Sequence, residues 1–158
     1  MVTTIAAEHF TKALLELLDE TFDNVHGYYL DHGTSLFETL ATISASEASI
    51  PVGGKCATLA AQVKHVAFYL NVVDRNVREH DYARVDWGEI WRTLSAVTPD
   101  EWSAIQVELR EAYNRIISLI NEMPSWPSEG EIGGAMGVLA HTAYHLGEIR
   151  QALCTLKP

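Results

Sequence analysis

Apolar residues recur at intervals of three and four positions in four long stretches of the sequence, which is the period of an amphipathic α-helix. These stretches run from about Thr4 to Val25, from Lys55 to about Arg78, from Thr98 to about Met123, and from about Ile132 toward the C-terminus. In the first stretch, four acidic residues fall largely outside the apolar stripe: Glu16, Asp19, Glu20 and Asp23. The pattern predicts four long helices.

Local signals predict where some helices begin. A Ser-x-x-Glu capping box at Ser35 predicts a short extra helix after the first, ending near Ile43. Similar signals at Thr98 and Ser128 precede the third and fourth helices. No segment alternates apolar and polar residues with a period of two. The sequence therefore predicts an all-α protein, a four-helix bundle that forms a single domain over residues 1–158.

The fourth helix is apolar on two sides. One stripe consists of Ile132, Met136, Leu139, Ala143 and Leu146, and the other of Val138, Ile149, Ala152 and Leu156. At about 100° per residue, the two stripes cannot face a single neighbour. This helix is therefore either central or part of a subunit interface, and the pattern favours a homodimer. The glycine cluster between Gly130 and Gly137 predicts close helix packing or a weak helix start.

Composition narrows the classes of partner. The 158 residues include 11 Lys and Arg against 21 Asp and Glu, a formal net charge of -10. A nucleic acid or an anionic membrane requires a basic surface, which this balance does not supply. No apolar run approaches the roughly 20 residues of a membrane span. We expect a cytoplasmic protein that binds neither, whose Cys56 and Cys154 are reduced and buried.

The most specific chemistry lies in two histidines one helical turn apart. His141 and His145 are four positions apart, so on a helix their imidazoles stand about 40° from one another. Two neutral imidazoles in this arrangement can bind one divalent ion. The alternative is that both fill the interior of the bundle. Their apolar surroundings favour a metal, because a buried imidazole needs partners for its nitrogens.

A third ligand has to come from another helix, and His65 is the best placed candidate. It lies about 80° from the centre of the apolar face, where a lone histidine would be a boundary residue. Three His ligands leave one coordination position open, as in catalytic sites. The remaining histidines are expected on the surface or at the rim of a pocket: His9, His26, His32 and His80.

Two residues are candidates for catalysis. Glu148 is either a hydrogen-bond acceptor or base near His145, or an exposed charge at the end of a helix. Tyr69, like Tyr144, could offer a hydroxyl at the mouth of the site. Thr142 stands where a zinc protease would have its general base, which disfavours peptide hydrolysis. Asp74 and Glu38 are weaker candidates.

Aromatic residues are numerous in this sequence. We expect most of the following to lie in the core: Tyr28, Tyr29, Phe37, Phe68, Tyr69, Trp87, Trp91 and Tyr144.

Five segments form a recognisable combination. They are SLFETL at 35–40, ASEA at 45–48, QVKHVAFY at 62–69, DW at 86–87 and HTAYHLGEIRQ at 141–151. Together they resemble the DinB-like superfamily of small bacterial helical bundles, also described as DinB/YfiT-like metalloenzymes. The resemblance covers about Leu15 to Leu156. The family has His-x-x-x-His-x-Gly-Gln in the last helix, whereas this chain keeps Gly147 but has Glu148 in place of the Gln.

The resemblance implies a zinc or nickel site formed by His65, His141 and His145 in a bundle with up-down-down-up connectivity, often assembled as a homodimer. It further implies a thiol-dependent S-transferase that uses a low-molecular-weight thiol such as mycothiol or bacillithiol, or a related isomerase. A hydrolase is a weaker expectation.

Two hypotheses follow, besides a plain bundle whose histidines bind nothing. The first is a metal-dependent enzyme that activates a thiol or water for a small-molecule substrate. The second is a metal-binding or stress-associated dimeric protein without turnover. An enzyme should leave the open metal position accessible in a pocket, whereas a binding protein should close it with a fourth ligand or with packing.

Overall fold

A computed structural model of the chain describes residues 5–51 and 57–156. Within these ranges it has seven helices and no strand, apart from an isolated bridge between Pro51 and Thr58. The helices are α1 (Ala7–Phe22), α2 (Leu36–Leu40), α3 (Ala45–Ala48), α4 (Leu59–Glu79), α5 (Glu89–Thr93), α6 (Pro99–Glu122) and α7 (Glu129–Leu156). The all-α prediction is confirmed.

The four long helices share one hydrophobic core. Helix α4 packs against α6 and α7, and α1 also packs against α6 and α7. Fully buried side chains from all four helices meet there, among them Leu18, Leu70, Leu109 and Ile149. The up-down-down-up connectivity remains a prediction. No helix in the described part of the chain is long and apolar enough to cross a membrane.

The predicted capping signals are present. At α2, the Glu38 carboxylate accepts hydrogen bonds from the backbone N–H and the hydroxyl of Ser35. At α6, Thr98 forms a complete capping box and Pro99 occupies the first turn. At α7, the Ser128 hydroxyl donates to the Glu131 carboxylate. Because that cap precedes the helix directly, α7 begins at Glu129 rather than at Ile132.

Two other helix boundaries differ from the prediction. Helix α4 begins at Leu59, because the Thr58 side chain accepts a hydrogen bond from the Ala61 backbone and caps the helix there. The predicted start at Lys55 lies outside the described residues, as does Thr4 at the predicted start of the first helix. Helix α1 begins at Ala7 and ends at Phe22, three residues before Val25.

The early end of α1 follows from a buried carboxylate. Glu20 is fully buried, although the helical pattern placed it outside the apolar stripe. Its carboxylate accepts backbone hydrogen bonds from the connector that follows α1, with donors in His26 (3.0 Å), Tyr28 (2.9 Å), Tyr29 (2.6 Å) and Leu30 (2.8 Å). The connector therefore folds back over the end of α1 and covers this side chain.

Helix α7 has neighbours on two sides within the chain, and its place in a subunit interface remains a prediction. It contacts both α1 and α4, and its buried apolar residues are Val138, Leu146, Ile149 and Ala152. Met136 is exposed, so the first predicted stripe is not buried along its whole length. Close packing at the glycine cluster is wrong for Gly133 and Gly134, where an added Cβ would meet no atom of the described chain within 4 Å.

Cys154 is a free cysteine, as expected, but the prediction that it is buried is wrong, because it is exposed near the end of α7. This residue lies on the side of the helix that faces away from Ala152 and the core. Cys56 lies outside the described residues.

Candidate metal centre

Three histidines from two helices meet on one side of the core. His65 comes from the first half of α4, and His141 and His145 come from the middle of α7. Each offers one ring nitrogen within 4.8 Å of the others. In the described part of the chain, no fourth His, Cys, Asp or Glu side chain joins this group. The predicted metal ligands are thus brought together into a cluster that could hold a metal ion.

The spacing of the donor atoms fits a divalent ion. The Nε2 atoms of His65 and His141 lie 3.2 Å apart. Two nitrogen ligands at about 2.0–2.1 Å from a tetrahedral ion are separated by about 3.3–3.4 Å, so these two donors need almost no rearrangement. His145 completes the group, with its ring centroid 5.0 Å from that of His65 and 4.5 Å from that of His141.

The opposite nitrogen of His145 is held in place by two acceptors. Its Nδ1 lies 2.7 Å from the Gln62 Oε1 on α4 and 3.0 Å from the Glu148 carboxylate one turn further along α7. With the proton on Nδ1 donated to these oxygens, Nε2 carries a free lone pair. Such a contact orients a metal-binding imidazole and fixes its tautomer.

Burial keeps these imidazoles neutral. Loss of hydration, followed by repulsion from the charged form of His145, lowers the pKa of His65 to about 4. Burial, with repulsion from the two neighbouring histidines, lowers the pKa of His141 to about 4. Burial also lowers the pKa of His145, although Glu148 partly opposes the shift. Neutral imidazole is the form that binds a metal, so the cluster is ready for one near pH 7.

As a purely structural cluster, the three histidines would be poorly satisfied. Only one proton can lie between the Nε2 atoms of His65 and His141, and the Nδ1 atoms of both rings are buried with no hydrogen-bond partner in the described residues. A buried polar nitrogen without a partner costs about 1–3 kcal/mol. A metal ion between the two Nε2 atoms would engage both lone pairs, whereas a hydrogen bond engages only one, and in this respect the donor set suits a metal better than it suits the filling of the core.

Aromatic side chains surround the cluster. The Tyr69 ring stacks on His141 at a centroid distance of 3.8 Å, and Trp91 lies 4.6 Å from His65. Burial raises the pKa of Tyr69, so its hydroxyl stays protonated and can donate. That hydroxyl lies 3.4 Å from the position of a Cβ on Gly137, which a larger residue would crowd.

The other predicted site residues have varied surroundings. Glu148 is not simply an exposed charge, because it contacts His145 and also accepts a hydrogen bond from Tyr144 at 2.5 Å. Its role in catalysis, like that of Tyr69, remains a prediction. Asp74 pairs with Arg78, and Glu38 caps α2.

The four remaining histidines are all exposed, as the sequence analysis expected: His9, His26, His32 and His80. Among these, His80 also lines an apolar cavity of about 440 Å³ between the ends of α4, α6 and α7. The walls of this cavity include Val73, Ile116 and Val138, and the three clustered histidines are not among them. The cavity and the candidate metal centre are therefore separate features.

The expectation that most of the aromatic residues lie in the core is wrong for five of them. Tyr28, Tyr29, Trp87, Trp91 and Tyr144 are exposed. Phe37, Phe68 and Tyr69 are partly buried. An aromatic ring has a large apolar face but tolerates water at its edge, and here several of them border loops and the candidate metal centre instead of filling the core.

No protein-family model, no curated protein and no solved structure matches the chain. The fold and the three-histidine cluster therefore stand on the sequence and the structure alone, and the DinB-like resemblance remains a prediction.

Sequence reasoning missed two parts of this site. Gln62 was not a candidate, and its position one turn before His65 on α4 is the signal that could have identified it, because residues three and four apart share a helix face. Trp87 and Trp91 were assigned to the core, and nothing in their spacing indicates that Trp87, just before the short helix α5, and Trp91, within it, lie near His65.

Proposed function

We propose that this chain binds one divalent metal ion through His65, His141 and His145 and uses it as a metal-dependent enzyme. The observation that carries the proposal is the 3.2 Å separation of two Nε2 atoms from different helices, with a third imidazole beside them. Zinc and nickel are the ions we propose, since imidazole nitrogen suits both. In keeping with its resemblance to the DinB-like superfamily, we propose thiol-dependent S-transfer as the reaction and a homodimer as the assembly.

A divalent ion with an open coordination position lowers the pKa of a bound thiol or water and so supplies a nucleophile near neutral pH. The protein side chains position the reactants. Gln62 and Glu148 hold the His145 ring, and the Tyr69 hydroxyl can donate a hydrogen bond to a ligand beside His141. The Glu148 Oε2 lies 3.0 Å from the His145 Nδ1, which brings a carboxylate proton acceptor next to the cluster.

A metal-binding protein without turnover is the alternative. One observation favours it: the apolar cavity lies at the ends of the helices instead of at the histidines, where aromatic rings pack close to the cluster. The two functions predict the same metal content. They differ in whether an added thiol can reach the ion.

The test is metal content per chain by mass spectrometry on protein purified without chelator. We expect about one ion per chain in the wild type and its loss in His65→Ala and His141→Ala, because each variant removes one of three ligands. His9→Ala is the matched control, since it removes an exposed histidine from α1 and should leave the metal content unchanged.

Retention of a full complement of metal in His65→Ala would exclude this ligand set. If the metal is bound as expected, Co²⁺ substitution followed by addition of a small thiol separates the two functions. A change in the visible spectrum indicates an accessible position and supports the enzyme, whereas an unchanged spectrum supports the protein without turnover.

A further inference from the structure

Four aromatic side chains form a rim around the three histidines, and we call Tyr69, Trp87, Trp91 and Tyr144 the aromatic rim. Each histidine has one of these rings as a close neighbour. The centroid distances are 4.6 Å from Trp91 to His65, 3.8 Å from Tyr69 to His141, and 5.0 Å from Tyr144 to His145. Trp87 lies 6.4 Å from His65 and 6.1 Å from Tyr69.

Three of the four rim residues are more exposed than two of the histidines that they surround. Trp87, Trp91 and Tyr144 are 42%, 38% and 62% exposed, whereas His65 and His145 are only 8% and 6% exposed. A molecule that approaches the nitrogen atoms from solvent therefore meets aromatic surface first. An exposed indole ring leaves apolar surface in contact with water, and a ligand that covers this surface gains free energy of binding.

The two tryptophans are held in place by a local turn and not by the core. They flank the start of α5, a five-residue helix with no buried residue. The Asp86 carboxylate accepts a hydrogen bond from the Gly88 backbone at 3.0 Å and pairs with Arg92 at 2.6 Å. These contacts fix the turn that carries Trp87 and Trp91 over α4.

The charges near the rim indicate what it does not bind. Arg92, the cation next to Trp91 in the sequence, is neutralised by Asp86. The Glu148 carboxylate lies beside Tyr144 and His145. Arg92 is therefore not free to bind an anionic substituent beside Trp91, and a cationic substituent would be repelled by a bound divalent ion.

We propose that the molecule that reaches this centre carries an aromatic group next to its metal-binding atom, and that Trp91 and Trp87 bind this group. The inference rests on the proposed function, because it takes a metal ion at the three histidines as given. It adds the chemical class of the ligand. The aromatic group would stack on the indoles, while the donor atom fills the open coordination position.

The test compares two ligands that differ by one phenyl ring, imidazole and 4-phenylimidazole, titrated into the Co²⁺-loaded protein and followed by visible absorption. The phenyl group does not itself strengthen the bond to the metal. We expect 4-phenylimidazole to bind the wild type about tenfold more tightly, the size of effect that an aromatic contact with its buried area supplies. In Trp91→Ala the preference should fall to within about threefold, and Trp91→Phe should recover part of it.

Tyr82→Ala is the matched control, because Tyr82 is an aromatic residue of the same connector that is 74% exposed and is not part of the rim. It should keep the tenfold preference. Equal affinity of the wild type for both ligands, or a preference that Trp91→Ala leaves intact, would overturn the inference while the Co²⁺ spectrum still supports a metal site. If tetramethylammonium competed with imidazole for the Co²⁺-loaded protein more strongly than 4-phenylimidazole does, the inference would be overturned in favour of a cationic ligand. Failure of the wild type to bind Co²⁺ would overturn the proposed function and this inference together.

Discussion

Substitution of Glu20 by Gln tests how far one buried carboxylate stabilises this fold. Glu20 accepts four backbone hydrogen bonds, two on each carboxylate oxygen, from the connector at residues 26–30. A glutamine side chain keeps one acceptor oxygen and replaces the other with an NH₂ group that faces two N–H donors. Two hydrogen bonds are therefore lost, and two donors are left without an acceptor.

The magnitude follows from the hydrogen bonds and from the pKa. Burial alone would raise the pKa of Glu20, but the four N–H donors lower it to about 2 from a usual value of 4.5. A shift of this size corresponds to at most about 3 kcal/mol of stability. Unpaired donors cost about 1–3 kcal/mol each in a buried site and less where water can enter. We expect Glu20→Gln to lower the free energy of unfolding by about 2–3 kcal/mol at pH 7.

The direction in which stability changes with pH follows from the lowered pKa of Glu20. The pKa is lower in the folded state, so the carboxylate contributes its full stability above the pKa of the unfolded chain and loses it as the pH falls through the folded value. The difference in unfolding free energy between wild type and Glu20→Gln should be constant above about pH 5 and shrink between about pH 4.5 and pH 2. Urea unfolding followed by circular dichroism, in the presence of a chelator, measures it.

Glu16→Gln is the matched control, since Glu16 lies one turn earlier on α1, where it accepts a hydrogen bond from the hydroxyl of the exposed Tyr28 and forms an exposed ion pair with Lys12 at 3.8 Å. It should cost less than about 1 kcal/mol. Amide hydrogen exchange adds a local measurement, because the N–H groups of Tyr29 and Leu30 should lose protection in Glu20→Gln and keep it in Glu16→Gln. A stability difference that does not change with pH would refute the assignment of the effect to the ionised carboxylate.

Two further predictions concern other contacts. Gln62→Ala should weaken Co²⁺ affinity about 10- to 100-fold without removing a ligand, because His145 loses the acceptor at 2.7 Å that orients its ring. Co²⁺ titration of this variant is compared with that of Gln151→Ala, which changes an exposed glutamine of α7, and equal affinities of the two variants would contradict the prediction. Trp102→Phe should lower the unfolding free energy by about 1–2 kcal/mol, because the buried Ile43 carbonyl loses its indole donor at 2.9 Å; urea unfolding should show a smaller loss for Trp126→Phe, whose hydrogen bond to Thr11 is only partly buried.

The long helices could be predicted because their signals are local. A period of three and four residues needs only the stretch itself, and the capping boxes at Ser35 and Thr98 need only four residues each. Helix α3 was missed although Ser44 and Glu47 form a capping box of the same kind. Helix α5 was missed because five residues carry too little periodicity to be distinguished from a turn. Helix α5 depends on the Asp86 turn, which the pattern of apolar residues does not report.

The three ligands of the candidate metal centre could be predicted from the sequence, but the residues that surround them could not. His141 and His145 share a turn of one helix, so sequence spacing alone brings them together. Glu20 shows the opposite case: an acidic residue off the apolar stripe is expected in water, and it is buried because the connector that follows α1 folds back and supplies four donors. Contacts of this kind depend on how a loop folds back onto a helix, and the period of apolar residues in the sequence does not report such folding.

The absence of buried residues in α5 has a kinetic consequence. Because none of its residues is buried, displacing it costs far less free energy than unfolding the four long helices. The ligand that we propose stacks on the tryptophans can then leave when this short helix moves aside, and we expect the stability of the Asp86 turn to contribute to its residence time. Weakening the pair between Asp86 and Arg92 would shorten that time even if every contact with the bound molecule stayed the same.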